Sequence, residues 1–323
     1  MQKKFLLPVL LVCASLLFSC ETKITDIVIP FTKQLVVEAY LCPQDTLIKF
    51  NISSNSPTVG LVSDSNIVHP VPNALVILSD GQKQVQLRFK GVFIQMLLGG
   101  SQRLAAGYFV LDTREFPIIV GKTYTLKVTA PGYPPVTATC TVPENKVDKK
   151  TIQIIKGNQT TTQGIQLHPK LIWKDVSGEE NYYNISVYYT FNNEYRGPDS
   201  KGVWQVRTIE SGMYPAIFER DTYLSDYGLD GQTFTKEGSV YYYDQAIPAD
   251  TSYGYTVVKN QKIVANVAAI SKEFYTYQVK LIKQRDSQGN PFAEPVQVTG
   301  NIEGGLGFFG AYNRTEVVLD LKK

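Results

Sequence analysis

The sequence predicts a mainly β protein, and three observations carry that expectation. Twenty tyrosines and fifteen phenylalanines accompany many Val, Ile and Thr residues, side chains that suit a pleated, half-buried surface. Short runs alternate apolar and polar residues with period two. Between those runs stand glycines, prolines and the Asp80-Gly81 pair, the punctuation of tight turns. A chain of about 300 residues after removal of a leader favours two domains. The expected arrangement is a β-sandwich over 35–143 and a second β-rich domain over 144–323 that carries one α-helix.

In the first block, Leu35 to Leu41 alternates as a half-buried strand, and Ile48 to Ile52 forms the next. Residues 53–70 are polar and broken by Pro57, Gly60 and Pro70, which predicts a long loop. A strand from Ala74 to Leu78 runs into Asp80-Gly81, a strong hairpin signal. Further strand-like runs follow near 84–89, 92–98 and 107–111. From Gly121 to Val128 the alternation is clean, with Tyr124, Leu126 and Val128 on one face. Val136 to Val142 and then Pro143 close the block. Seven or eight short strands in about 110 residues argue for a sandwich, and the run from Val71 to Gly81 with that from Gly121 to Val128 resembles immunoglobulin- or prealbumin-like modules.

The polar stretch 144–163 leads into Tyr183 to Phe191, where every odd position is apolar. Residues 192–240 read as a long connection, punctuated by Gly197, Pro198, Gly202, Gly212 and Pro215. Its Trp204, Met213, Tyr214 and Phe218 are too much apolar bulk for a disordered linker, so it is expected to pack on the domain or form a binding surface. Strands are expected at 240–243 and 253–258. One helix is predicted near 271–285: Ser271 suits the N-cap, Glu273 suits the positive end of the dipole, and Phe274, Tyr277 and Leu281 recur at helical spacing.

The amino terminus sets the compartment. Lys3 and Lys4 precede an apolar run from Phe5 to Phe18, then Ser19 and Cys20. A basic start, a short apolar core and a small residue make a secretory signal over 1–19. A cysteine directly after the small residue is the pattern of a bacterial lipoprotein, so Cys20 is expected to carry lipid and residues 20–34 to act as a tether. An ordinary secreted protein is the plainer alternative, and the apolar run is shorter than the roughly 20 residues that span a bilayer. Removing the leader takes away two of the 32 Lys and Arg and none of the 29 Asp and Glu, leaving a nearly neutral chain. Such a balance gives no footprint for nucleic acid. The two later cysteines, Cys42 and Cys140, would meet an oxidising compartment in which a disulfide is allowed. Alternation puts Cys42 on the polar phase and Cys140 on the apolar phase, which favours two separate thiols; both outcomes stay open.

Gly305 to Gly310 fits G-x-G-x-x-G, yet only thirteen residues follow Gly310 and 315–321 read as a strand, so the helix that would hold a pyrophosphate has no room. Gly304, Gly305, Gly307 and Gly310 are instead expected to make a tight turn with close backbone packing. His69 and His168 both flank prolines and offer neither a zinc set nor a catalytic pair. Asp221, Asp226 and Asp230 lack the ladder of a calcium loop. No catalytic residue, cofactor or metal is therefore expected, although a pair of carboxylates for glycan hydrolysis stays conceivable. Aromatic side chains are the best binding candidates: Trp204, Tyr214 and Tyr195 foremost, with Tyr182, Tyr188 and 241–243 beside them. Most tyrosines in such a chain would pack the core, which is the plainer reading. Asp45-Thr46-Leu47 resembles a short O-glycosylation pattern of Bacteroidota envelope proteins.

Cys20, Leu35 to Glu38, Asp226 to Gly231, Asn290 to Pro295 and above all Asn301 to Tyr312 together resemble the DUF4249 lipoproteins of Bacteroidota, over essentially the whole mature chain. The resemblance implies an outer-membrane, lipid-anchored binding protein, on the cell surface or facing the periplasm, accessory to a TonB-dependent receptor in nutrient uptake. It brings no catalytic residues. An adhesion or structural role is the alternative, a glycan-active enzyme the more distant one. Replacing Cys20 by Ala should release folded protein from the membrane fraction; a variant that stays membrane-bound on fractionation would overturn the anchor.

Overall fold

The computed structural model describes residues 31–56, 69–94, 103–161, 164–218, 222–242, 251–287, 290, 292–294 and 296–321. Its first strands are β1 (Leu35–Leu41), β2 (Leu47–Ser54), β3 (His69–Pro70), β4 (Leu75–Ser79) and β5 (Gln84–Gln86). Then come β6 (Arg88–Ile94), β7 (Arg103–Asp112), β8 (Thr123–Thr129) and β9 (Val136–Thr141). After a 3-10 turn at Lys149–Thr151 follow β10 (Gln153–Ile155), β11 (Asn158–Thr161), β12 (Gly164–Leu167) and β13 (Lys170–Lys174). The long strands β14 (Tyr182–Pro198) and β15 (Trp204–Pro215) precede β16 (Ile217–Phe218), β17 (Tyr223–Ser225), β18 (Thr233–Tyr242) and β19 (Tyr255–Ile270). Helix α1 (Lys272–Ser287) and β20 (Leu306–Asp320) complete a mainly β fold. Among the described residues no helix is long and apolar enough to cross a membrane.

A ten-stranded sheet organises everything, in the order β15-β14-β19-β20-β1-β2-β7-β6, with β17 also on β14 and β3 on β2. Alternation then decides what packs where. Leu35, Val37, Ala39 and Leu41 of β1 point with Phe309 and Ala311 of β20 into a first core, closed by Val76, Leu78, Tyr124, Leu126 and Val128 of the four-stranded sheet β5-β4-β8-β9. Tyr183, Ile185, Val187 and Tyr189 of β14 point into a second core against Leu171, Trp173 and Phe234 of the sheet β10-β13-β18-β12-β11. Phe309 and Ala311 share their parity with Val317 and Leu319, which line the second core, so both small sheets cover the same face of the large one. The even positions Tyr40, Tyr182 and Phe308 look the other way, toward α1.

Within the first core the Asp80-Gly81 turn forms as expected: Gly81 has φ +87°, and Asp80 Oδ1 accepts from the amides of Gln82 and Lys83 at 2.9 and 2.7 Å. Lys122 Nζ donates to Asp80 Oδ2 at 2.6 Å; that contact and the two amides hold the carboxyl well below its usual range. Most of the long loop expected at 53–70 lies outside the described residues, and its last two residues form β3 against β2.

The glycine-rich C-terminal segment seals the first core. β20 runs parallel to β1, from Val36 opposite Leu306 to Leu41 opposite Ala311. Asn301 fastens the approach: its Nδ2 donates to Phe309 O at 2.7 Å and Thr139 O at 3.0 Å, while Oδ1 accepts from Phe309 N at 2.9 Å. Gly307 has φ +102°, and a Cβ on it would lie 2.0 Å from Val37 O. The expected tight turn is confined to Gly304 and Gly305; Gly307 and Gly310 lie within β20, where the glycines let backbones meet. Further along β20, Arg314 Nη2 pairs with Asp45 Oδ1 at 2.8 Å, Tyr312 donates to Asp45 Oδ2 at 3.0 Å, and Asn313 Nδ2 donates to Pro143 O at 3.1 Å.

Two expectations are corrected. Residues 192–240 are mostly strand rather than a long connection. Gly197 and Pro198 end β14, and a five-residue turn closed by Asp199 leads into β15: Asp199 Oδ1 accepts from Lys201 N at 2.8 Å and Val203 N at 2.9 Å, with Gly202 at φ +76°. The glycines and prolines mark hairpin corners. Cys42 and Cys140, open to a disulfide in the sequence, are both free thiols. Cys42 is buried although alternation assigned it to the polar phase, because β1 ends at Leu41 and the chain turns; its thiol donates to Gln44 Oε1 at 3.1 Å. Cys140 packs against the first core from β9, in register with Tyr124.

Gly307→Ala should cost more than about 3 kcal/mol in urea unfolding, since strain and a backbone clash add. Gly132→Ala, with φ +79° and nothing within 4 Å of the added Cβ, should cost only about 1 kcal/mol. Equal losses would contradict the close approach of β20 to β1. Burial raises both thiol pKa values, most of all at Cys140, so little thiolate forms at neutral pH. Iodoacetamide should therefore leave Cys42 and Cys140 untouched in the native protein and alkylate both in denaturant without reductant; a mass two protons lower with no alkylation would show a disulfide.

Candidate functional site

The helix face of the large sheet carries the features that can meet a ligand or a partner. Ser271 Oγ accepts from Phe274 N at 3.2 Å and starts α1 where the sequence placed it. Phe274 stacks on Tyr40 with ring centroids 4.8 Å apart, Tyr277 on Phe308 at 4.7 Å, and Tyr275 meets Tyr182 at 4.9 Å. These rings make a third apolar cluster, separate from the two sandwich cores. Gln278 Nε2 donates to the Tyr40 hydroxyl at 2.9 Å. Burial raises the pKa of Tyr40, Tyr223 and Tyr277, with Glu38 adding to the first and last, so all three hydroxyls keep their protons.

Gln278 and Leu281 carry α1's contact with this cluster into its second half. β17 is three residues long and pairs only with Tyr182 to Asn184. The second half of α1 therefore overhangs a cleft of about 840 Å³, walled by Tyr223, Gln278, Leu281, Ile282, Gln284 and Arg285. Gln278, Leu281, Ile282 and Arg285 follow the i, i+3, i+4, i+7 spacing of one helix stripe. Apolar wall, amides, a phenol and a guanidinium thus face one space. Its volume lies within the range of small-molecule sites.

The β14–β15 hairpin extends the same sheet face outward. Pairing sets Trp204 opposite Pro198, Arg207 opposite Tyr195 and Tyr214 opposite Tyr189. Opposed residues share a face, so the three aromatic candidates divide. Tyr195 and Tyr214 stand on the side of the second core: Tyr214 stacks on Phe191 at 5.4 Å, and Arg207 lies 5.3 Å over the Tyr195 ring. Trp204 stands on the helix side with Val206, and beyond the register shift at Asn193 and Glu194 Met213 joins them opposite Thr190. Trp204, Val206 and Met213 are 53%, 57% and 64% exposed, an apolar stripe with nothing on it. β15 is also the last strand of the sheet order, so its outer backbone edge is unpaired in that sheet.

Other expected sites fare variously. Asp226 and Asp230 do converge, but with Asp175, and Asp221 lies outside the described residues. One carboxylate oxygen of each lies within 4.8 Å of the others, a set that could hold a hard cation. Each carboxylate also serves the fold: Asp175 accepts from the Tyr183 hydroxyl at 2.5 Å and Gly231 N at 2.8 Å, Asp230 from Gly178 N at 2.8 Å, and Asp226 from Asn181 Nδ2 at 3.5 Å. His168 Nε2 is buried without a partner among the described residues, beside a hollow of about 360 Å³ lined by Gln166, Glu237 and Ser239. His69 is exposed in β3. Cys20, Tyr243 and the side chains of Tyr241 and Tyr242 lie outside the described residues. The cleft escaped sequence reading because it depends on how short β17 is; the one signal was the Gln278–Arg285 continuation of the helical stripe.

The family described as Domain of unknown function (DUF4249) matches residues 20–317, nearly the whole chain, and the chain belongs to it. No curated protein matches.

Proposed function

For this member of the DUF4249 family we propose the role of a lipid-anchored outer-membrane binding protein that docks on a TonB-dependent receptor and helps it take up a nutrient. The observation that carries the docking is the exposed Trp204, Val206 and Met213 stripe on an edge strand. Such an edge combines apolar area, which stabilises contact by about 25 cal/mol per Å² buried, with a row of open N–H and C=O groups. Natural proteins normally blunt an edge of this kind with charge, bulges or short length; β15 runs twelve residues, and its Arg207, Glu210 and bulge fall between the exposed Trp204 and Val206 at one end and Met213 near the other. A lipid surface could take the side chains but not the backbone groups, since nothing in hydrocarbon satisfies them. A partner strand satisfies both, by adding to the sheet. Anchoring at Cys20 would hold the edge near membrane-embedded partners, raising their effective concentration.

Detergent-solubilised full-length protein should co-purify with a TonB-dependent receptor identified by mass spectrometry. Val206→Pro, which removes a backbone donor and bulk from the edge, should lower the recovered receptor at least tenfold while the circular dichroism spectrum holds. Trp204→Lys should do the same by charge. Receptor recovery unchanged in both variants, or binding to protein-free vesicles lost in both instead, would overturn the docking edge.

A further inference from the structure

We propose that the cleft beneath the second half of α1 binds short peptides through their free carboxylate. This stands apart from the docking edge and does not depend on it. The groups that face the cleft are chemically uncommitted in a particular pattern. Arg285 has a single ion-pair contact among the described residues, Asp286 Oδ1 at 3.8 Å from its Nε, which is beyond hydrogen-bond reach. Its planar fork is thus available to a carboxylate, the geometry in which a guanidinium binds best. Gln278 is nine-tenths buried and spends its amide nitrogen on Tyr40, which leaves Oε1 as an acceptor for an incoming N–H. The Tyr223 hydroxyl, kept protonated by burial, can donate to a carbonyl. Between these polar points Leu281 and Ile282 give an apolar wall for side chains.

A peptide matches this set feature by feature: carboxylate on Arg285, an amide N–H to Gln278, a carbonyl from Tyr223, aliphatic groups on Leu281 and Ile282. The volume of about 840 Å³ suits a few residues rather than a single small acid. Arg285 sits near the end of α1, where the helix carbonyls carry partial negative charge, so an anion there needs the guanidinium; without it the site would repel a carboxylate.

Titration calorimetry of the full-length protein in detergent with tri-leucine and with its C-terminal amide tests this. Tri-leucine should bind at micromolar to millimolar concentration, and the amide at least tenfold more weakly. Arg285→Gln should erase the difference between the two peptides, and Gln278→Leu should weaken both without abolishing it. No binding of tri-leucine, equal binding of the two peptides to the unaltered protein, a preference that survives Arg285→Gln, or acetate competing as well as the peptide would each overturn the proposal. Unfolding monitored for each variant by circular dichroism separates a lost site from a lost fold; should Arg285→Gln unfold the chain, Arg285→Lys replaces it, and retained preference with lower affinity is the result expected.

Discussion

The parallel pairing of β20 with β1 is the constraint on which the rest depends. It joins residues some 270 positions apart in the chain, Val36 to Leu306 first, and makes one sheet from the two halves of the sequence. Parallel neighbours need a crossover, and here nearly the whole protein is that crossover. Closing so long a loop costs entropy that grows only slowly with length, by about (3/2)RT ln n, so the span itself is tolerable. What must be strong is the seam. It is made dry by Phe309 and Ala311 in the first core, made close by Gly307 against Val37 O, and continued by the Asp45, Tyr312 and Arg314 contacts at the end of β1. Folding of the first sandwich therefore waits on the last fifteen or so residues of the described chain, which predicts slow, high-contact-order kinetics.

That seam also decides what stays open. With both small sheets on one face of the large sheet, the other is covered among the described residues mainly by α1, with Val298 beside it. A helix of sixteen residues is about 24 Å long by its 1.5 Å rise, less than the width of the eight-strand path across the sheet at roughly 4.8 Å per strand. The helix packs where β1, β20 and the starts of β14 and β17 meet. Among the described residues, Trp204, Val206 and Met213 toward the tip of the β14–β15 hairpin stay exposed on that face. The cleft and the apolar stripe are therefore two consequences of one shortage of cover: the first lies where the helix outruns the sheet, the second where the sheet outruns the helix.

Legibility in the sequence followed the range of the forces. Strands such as Leu35–Leu41 and Thr123–Thr129, the Asp80-Gly81 turn and the Ser271-capped helix all rest on contacts a few residues apart, and periodicity or turn chemistry reveals them. Close backbone packing at the glycines of 304–310 was readable, but not that Gly307 and Gly310 would lie in a strand rather than a turn, because the partner β1 is some 270 residues away. Residues 192–240 were misread for a definable reason: Gly197, Pro198 and Gly202 carry the same signal at a hairpin corner as in an irregular loop, and only pairing with β19 and β15 shows which it is. Cys42 failed similarly, since alternation stops being informative one residue past the end of a strand. Of Trp204, Tyr214 and Tyr195, only Trp204 points away from the second core; a bulge at the Asn193 and Glu194 step decides that, and no local pattern announces it.

The placement of charge around the bare face follows from the same geometry. Glu194 and Arg196 pair at 2.7 Å on the helix side of β14, while Asp199 and Lys201 in the turn and Arg207 on β15 bring further charge near the tip. The Glu194–Arg196 pair lies between the Trp204 and Val206 edge and the body of the sheet. Surface pairs of this kind add little to stability, typically 0–1 kcal/mol. At an edge with exposed apolar side chains, pairing that cancels neighbouring charge leaves shape and hydrogen-bond register to set the choice of partner more than long-range attraction. If Cys20 carries a lipid, as proposed above, the anchor would hold such an edge close to membrane-embedded partners.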